Sequence, residues 1–354
     1  MHYIRFLKPP RLTSNALRAG PSSLTAKITI TTDLGESFLW SNIIVIAETV
    51  ADDGQTVIGR AKELEWKGED GMRALEAVLQ IPARHKDDIR MLIRPKDQNL
   101  AVDSCFAVLE GKNEGGVVAV RSMSMSQKGN ATSSNTSQPP LAERVFNTGK
   151  EGKDLHIWEE TGESIARHIW DAGLVLSAYI STLPTTQPNL PILNSILTTK
   201  PSLKILELGA GCGIVGISLS TLPNTTQIIL TDLPEATDIL TQNLSSLPSD
   251  ISHEVLDWSA PLPAHIAGTE WDLIAISDCT YNPDVVPDLV KTLGELARGK
   301  EVYVVLAMKV RHESELVFFE LMDKKGFEVR EKMKIELPVL GGEGECVEIF
   351  GFGR

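Results

Sequence analysis

Apolar and polar positions follow two different rhythms along the 354-residue chain. Upstream of residue 121 the segments AKITITT, NIIVIAET, IRMLIRP and CFAVLEG are short, β-branched and separated by polar or turn residues. That pattern predicts strands, with MRALEAVLQ as the one stretch of helical character. Residues 1–121 therefore read as a small β-rich domain. The stretch SMSMSQKGNATSSNTSQPPLAERVFNTG then lacks apolar periodicity altogether, and 122–149 reads as a low-complexity linker or a long disordered loop.

From residue 150 the rhythm becomes strand and helix in alternation. LKILEL, QIILTD, HEVLDW, WDLIAIS and EVYVVLAM are apolar runs of strand length. CGIVGISLSTL, EATDILTQNLSSL and DVVPDLVKTLGELARG lie between them with helical spacing, and HESELVFFELMDKKG follows the last. Near-continuous apolar strands with amphipathic crossovers predict a parallel sheet covered on both faces. FEVREKMKIEL and CVEIFGFG, joined by VLGGEGE, predict a closing strand pair. A further helix is predicted before the first strand, beginning near Glu163 and running through RHIWDAGLVLSAYI. The expected architecture of 150–354 is thus an α/β, Rossmann-like seven-stranded sheet.

Charge sharpens the contrast. Residues 1–150 carry 19 Lys and Arg against 17 Asp and Glu, and residues 151–354 carry 15 against 30. An acidic second half repels nucleic-acid phosphates. It either steers a basic partner or simply keeps the domain soluble. The four cysteines, Cys105, Cys212, Cys279 and Cys346, have no paired spacing, and the seven histidines are dispersed. Free thiols and no metal site are expected. No apolar run approaches the ~20 residues of a membrane helix, and MHYIRFLKPPRL has no secretory h-region. The expected compartment is the cytosol, with the nucleus second. Asn130 and Asn135 begin sequons that this compartment makes chance matches.

The chemistry concentrates in Glu207-Leu-Gly209-Ala210-Gly211-Cys-Gly213, between a predicted strand and helix. Glycines there permit positive φ and close approach of a ligand to the backbone. Amides at the following helix N-terminus suit a carboxylate. Gly211-Cys-Gly213-Ile-Val-Gly216 also satisfies the dinucleotide fingerprint, and Asp232, ending the next strand, suits the ribose of either cofactor. Glu207, the pair Asp257-Trp258 after the third strand and the C-terminal strand pair favour S-adenosylmethionine over a nicotinamide. A flat adenine fits an aromatic face beside an acceptor such as Asp257. The plainer alternative is that Trp170 and Trp258 are core tryptophans.

The segments IWDAGLVLSAYI, ILELGAGCGIVGI, LTDLPEATDILTQN, LDWS, WDLIAISDCTY and LAMKVRHESE together resemble the family 16 seven-strand, class I protein lysine methyltransferases, of the fungal type with an N-terminal β-rich extension. The resemblance spans most of 169–315 and does not reach 1–150. It implies cofactor contacts from Trp170, Gly209, Ala210, Gly211, Asp232 and Trp258, with Ser277 lining the site and Asp257 near the adenine. Glu207 and Gly213 complete the cofactor set. It places the family's Asp-x-x-Tyr element on Asp278 and Tyr281, the catalytic candidates. Cys279-Thr280 depart from the apolar residues usual between them.

The expected reaction is methylation of a lysine side chain on a cytosolic protein, with elongation factors or chaperones as candidate targets and S-adenosylhomocysteine as product. A free lysine, with a pKa near ~10.4, must lose a proton before it attacks. The cationic sulfonium favours that loss. The charge of Asp278 opposes it, so Asp278 is expected to orient the amine. Capping of the next turn is its structural alternative. Competing readings of the chain are a small-amine methyltransferase and a non-catalytic interaction protein on the same scaffold. The β-rich domain has two open roles, substrate recruitment and covering of the catalytic domain.

Overall fold

The computed structural model describes residues 1–13, 22–82, 85, 87–110, 116–126, 141–161, 165–183, 189–341 and 344–354. The sequons at Asn130 and Asn135, half of the predicted linker (127–140) and the predicted helix start at Glu163 lie outside them. The chain divides into two compact units, Met1–His168 with Pro338–Gly344, and Ile169–Leu337 with Glu345–Arg354.

The first unit is two β-sheets. Its strands are β1 His2–Phe6, β2 Arg11–Thr13, β3 Ser22–Thr32, β4 Asn42–Ala51, β5 Val57–Lys67, β6 Leu75–Ile81, β7 Ile89–Pro95, β8 Val117–Val118, β9 Val120–Ser122, β10 Leu141–Phe146 and β11 Leu155–Glu160, with helix α1 at Cys105–Glu110. One sheet runs β2-β3-β1-β8 with β6 also on β3, and the other runs β11-β10-β9-β7-β4-β5. Inward residues of both, among them Ile4, Ile28, Val45, Trp66 and Ile93, share one core.

Three sequence expectations change here. Within the predicted helix MRALEAVLQ, β6 runs antiparallel to β3, because Ala77, Leu79 and Ile81 point inward at period two. The predicted strand CFAVLEG is α1 instead: the Ser104 hydroxyl accepts from the Ala107 amide, and Cys105 and Val108 are buried at a spacing of three. Residues 141–160, divided between linker and second domain in the sequence reading, form the β10–β11 pair of this unit. Their polar positions look like linker, yet the fully buried Arg144 places Nε on Glu159 Oε1 at 2.8 Å and Nη1 on the Ala119 carbonyl at 2.6 Å.

The second unit contains α2 Asp171–Ser181, α3 Pro191–Thr199, β12 Leu203–Leu208, α4 Ile214–Ser220, β13 Thr225–Asp232, α5 Thr237–Leu244, β14 Ile251–Val255, α6 Ala264–Gly268, β15 Leu273–Ser277, α7 Val286–Leu296, β16 Tyr303–Met308, α8 Val317–Lys324, β17 Glu328–Glu336 and β18 Cys346–Gly353. Its seven strands lie in the order β14-β13-β12-β15-β16-β18-β17, the first five parallel and β18 antiparallel to both neighbours. This is the expected Rossmann-like sheet with a C-terminal strand pair. Helix α7 shows why the crossovers pack: Val286, Leu289, Val290, Leu293 and Leu296 fall on one buried face. The order reverses at β12, so the loops after β12 and β15 flank the crevice where open α/β sheets bind ligands.

Candidate active site

The loop after β12 is built on three left-handed glycines, Gly209 (φ 69°), Gly211 (φ 55°) and Gly213 (φ 79°). A side chain on Gly213 would approach Leu230 and Leu240 to 2.8 and 2.9 Å, so the loop lies directly on the core. Its neighbours hold it: the buried Ala210 donates its amide to the Thr231 carbonyl at 3.0 Å, and the Gly211 amide reaches Asp232 Oδ2 at 2.7 Å. Asp232 Oδ1 takes the Leu233 amide, also at 2.7 Å. Asp232 thus ties the end of β13 to the glycine loop, and burial raises its carboxyl above the usual range.

Glu207 lies behind this loop. It is 1% exposed, and its Oε2 accepts from the Gly216 amide of α4 at 2.8 Å. Burial pushes its carboxyl up to about 8, with the charge of Asp232 adding to the effect. Its other oxygen, Oε1, is buried without a hydrogen-bond partner among the described residues. Glu207 braces α4 from inside.

Trp258 follows β14, and a methyl group built on Gly209 would lie 3.4 Å from its ring. An aromatic face therefore stands beside the loop. Asp257 is solvent-exposed; its Oδ1 receives the Ser259 amide at 2.9 Å and hydroxyl at 2.7 Å, and these bonds lower its carboxyl below the usual range. Trp170 is the N-cap of α2, in extended conformation, and not an interior helical residue as the sequence implied. Ser277, at the end of β15, faces the first turn of α2, within 3.4 Å of where a Gly173 side chain would begin.

Asp278 is the only described non-glycine residue with positive φ, at 49°. Such backbone costs about 1–3 kcal/mol and persists where surrounding structure dictates it. Here three donors do so: the Ala172 amide of α2 meets Oδ2 at 3.0 Å, while the Lys309 amide at 3.3 Å and Arg311 Nη1 at 3.0 Å meet Oδ1. Cys279 and Thr280, the departures from the family pattern, both turn inward. The Cys279 thiol packs against Gly209 and points at the Leu208 carbonyl, 3.4 Å away. Burial raises it well above the usual thiol range. Thr280 donates to Glu315 Oε2 at 3.3 Å. Tyr281 is 54% exposed, its hydroxyl raised by partial burial.

Sequence reading missed the residues after β16. Lys309 is buried and places Nζ on Asp171 Oδ2 at 2.9 Å and Glu345 Oε2 at 2.7 Å. Glu315 Oε1 accepts the Arg311 amide at 3.0 Å and the His312 amide at 3.1 Å. The Arg311 guanidinium also lies 5.4 Å from the centroid of the Trp170 ring. The LAMKVRHESE segment carried these residues without a signal to separate them from ordinary surface charge. Among the described residues no cluster of His, Cys, Asp and Glu could hold a metal. No described helix is long and apolar enough to cross a membrane.

A left-handed glycine loop, an acidic residue at the end of the second strand of the sheet and an aromatic ring beside the loop thus lie together at the crevice. The profile of the lysine methyltransferase family matches residues 149–325. The chain belongs to that family. A UPF0665 family protein of Schizosaccharomyces pombe is 30% identical over 327 residues, 90% of this chain and 91% of that protein. Protein-lysine N-methyltransferase EFM6 of Saccharomyces cerevisiae is 31% identical over 50% of this chain and 77% of its own length. EEF1A lysine methyltransferase 3 of Xenopus tropicalis is 31% identical over 48% of this chain and 69% of its own. As a lysine methyltransferase of the class I fold, the protein takes S-adenosylmethionine as methyl donor, and the observed site fits it. The left-handed glycine loop, the Asp232 carboxylate and the Trp258 ring are the kinds of group that would meet the amino-acid end, ribose and adenine of such a molecule.

Proposed function

We propose that this lysine methyltransferase methylates a lysine side chain on a protein, with Gly209, Ala210, Gly211, Gly213, Asp232, Asp257, Trp258, Trp170 and Ser277 forming the cofactor side and Asp278 and Tyr281 the acceptor side. Glu207 supports the cofactor side through α4. The observation that carries the reading is the strained, triply hydrogen-bonded Asp278 next to Cys279, whose thiol touches the glycine loop.

The bound donor supplies an electrophilic methyl carbon on a sulfonium. The chain's residues supply alignment, which is most of what an in-line displacement needs. Arg311 partly neutralises Asp278, so the carboxylate can orient an incoming ammonium without strongly raising its pKa. Tyr281, half in solvent, can wall the entry and accept a hydrogen bond from the amine N–H.

A protein acceptor is favoured over a free amine by the loops that follow β15 and β16. Tyr281, Val310 and Leu316 are 54%, 42% and 47% exposed there, beside the exposed carboxylates Asp284 and Glu313. The two cations at the start of the second loop, Lys309 and Arg311, are both ion-paired. Apolar contact with acidic surroundings suits a basic segment of a protein surface. The name of the Xenopus relative makes EEF1A the first target to try, with chaperones next and the cytosol, then the nucleus, as the place of action. Tritiated S-adenosylmethionine, incubated with the protein and a cell lysate, is expected to label a macromolecular fraction. Label confined to small molecules would overturn the proposal.

A further inference from the structure

We infer that Arg311 is a positioning residue that fixes Asp278 and Trp170 relative to each other, coupling the acceptor side of the site to the cofactor side; the inference rests on the proposed roles of those two residues. One guanidinium makes both contacts: Nη1 is 3.0 Å from Asp278 Oδ1, and its carbon is 5.4 Å from the Trp170 ring centroid. A planar delocalised cation can donate to a carboxylate and lie against an aromatic ring at once, which an ammonium does poorly.

Arg311 is itself held in place. Its own amide and that of His312 are bound by Glu315 Oε1, and Lys309, two residues earlier, is anchored by its amide on Asp278 and its Nζ on Asp171 and Glu345. The loop after β16 is therefore fastened on both sides of the guanidinium, whose side chain is only 19% exposed. The Ala172 amide on Asp278 Oδ2 closes the arrangement, since Ala172 lies two residues from Trp170. Arg311, Asp278 and the start of α2 form a ring in which no member can move alone.

The test uses the full chain with Arg311→Met and Arg311→Lys, and with Trp170→Phe and Asp278→Asn as controls. Four readouts are taken: thermal melting, calorimetric titration with S-adenosylhomocysteine, the emission of Trp170 as the wild-type minus Trp170→Phe difference spectrum, and tritium labelling of lysate protein at saturating donor. In Arg311→Met the protein is expected to stay folded, with Trp170 emission shifted, affinity for S-adenosylhomocysteine down about threefold and labelling down about tenfold or more. Arg311→Lys is expected to recover labelling more than affinity, because it keeps the charge on Asp278 but not the guanidinium's contact with the Trp170 ring. Wild-type labelling and unchanged Trp170 emission in Arg311→Met would overturn the inference. If the Trp170 and Asp278 controls themselves behave as wild type, the site assignment fails and takes the inference with it. Impaired controls beside an unimpaired Arg311→Met defeat the clamp alone.

Discussion

The Cys279 sulfur occupies the place that a side chain on Gly209 would need. Two loops, after β12 and after β15, thereby meet in close contact at this point. Gly209 also has φ 69°, so any substitution there is strained as well as crowded.

Gly209→Ala is accordingly expected to lose about 1–3 kcal/mol of stability and most of its affinity for S-adenosylhomocysteine. Cys279→Ala alone is expected to be mild, since it removes one buried sulfur. Added to Gly209→Ala, it should restore part of the stability, because the two residues compete for one space and their effects do not add. Denaturant titration of the four proteins checks this, and strict additivity would show that they do not meet.

Asp278→Asn removes the charge and keeps a single acceptor oxygen, which can serve the Ala172 amide or the Lys309 amide but not both, since these bond different oxygens of Asp278. The rate of methyl transfer should fall about a hundredfold, the scale of a small misplacement of reacting groups. Affinity for S-adenosylhomocysteine should fall no more than about threefold, the loss expected of Arg311→Met, since Asp278 is proposed for the acceptor side and reaches the cofactor side only through Arg311 and α2. A matching loss of affinity in calorimetry would move Asp278 to the cofactor side.

The parts of this site that were legible in sequence are the local ones. The glycine loop announces itself because positive φ restricts three positions in five residues to glycine, and the parallel strands do so because both their faces are buried. Asp232 and Trp258 stand out as candidates because one ends a strand and the other follows one. Arg311 and Lys309 were illegible because their meaning depends on partners 33 and 138 residues away, Asp278 and Asp171. Glu207 was legible as an acidic neighbour of the loop, but its direction, inward to Gly216, needed the helix in place. In the first unit, CFAVLE and LEAVLQ have almost the same composition. Only the Ser104 cap and the pairing with β3 decide which is helix and which strand.

Glu207 predicts a pH dependence. Its carboxyl titrates at about 8 in the folded protein, against an ordinary value of 4.5. The folded state therefore keeps a proton that the unfolded chain releases above 4.5. The stability so contributed is full below 4.5 and is lost as pH rises through about 8. Glu207→Gln retains an acceptor for the Gly216 amide and cannot ionise. Its melting temperature relative to wild type should climb between pH 5 and pH 8 and level off above. A difference that is flat across that range would mean Glu207 is ionised throughout.

The buried pair of Lys309 and Asp171 supplies the last prediction. Asp171 is 0% exposed and Lys309, which also pairs with Glu345, is 7% exposed, so the ion pair helps to compensate the Asp171 charge in a region with little water. Lys309→Met should leave the Asp171 carboxylate without this cation and cost about 3–5 kcal/mol, a fall in melting temperature on the order of 10 °C. Removing both charges is a different matter, since apolar replacements of a buried pair are often neutral once the volume is filled. Asp171→Leu with Lys309→Met should thus melt above Lys309→Met alone. The double variant should still methylate poorly, because the loop carrying Arg311 loses its fastening to α2. Recovery of stability together with full activity would show that the pair serves folding only and leaves the geometry at Asp278 untouched.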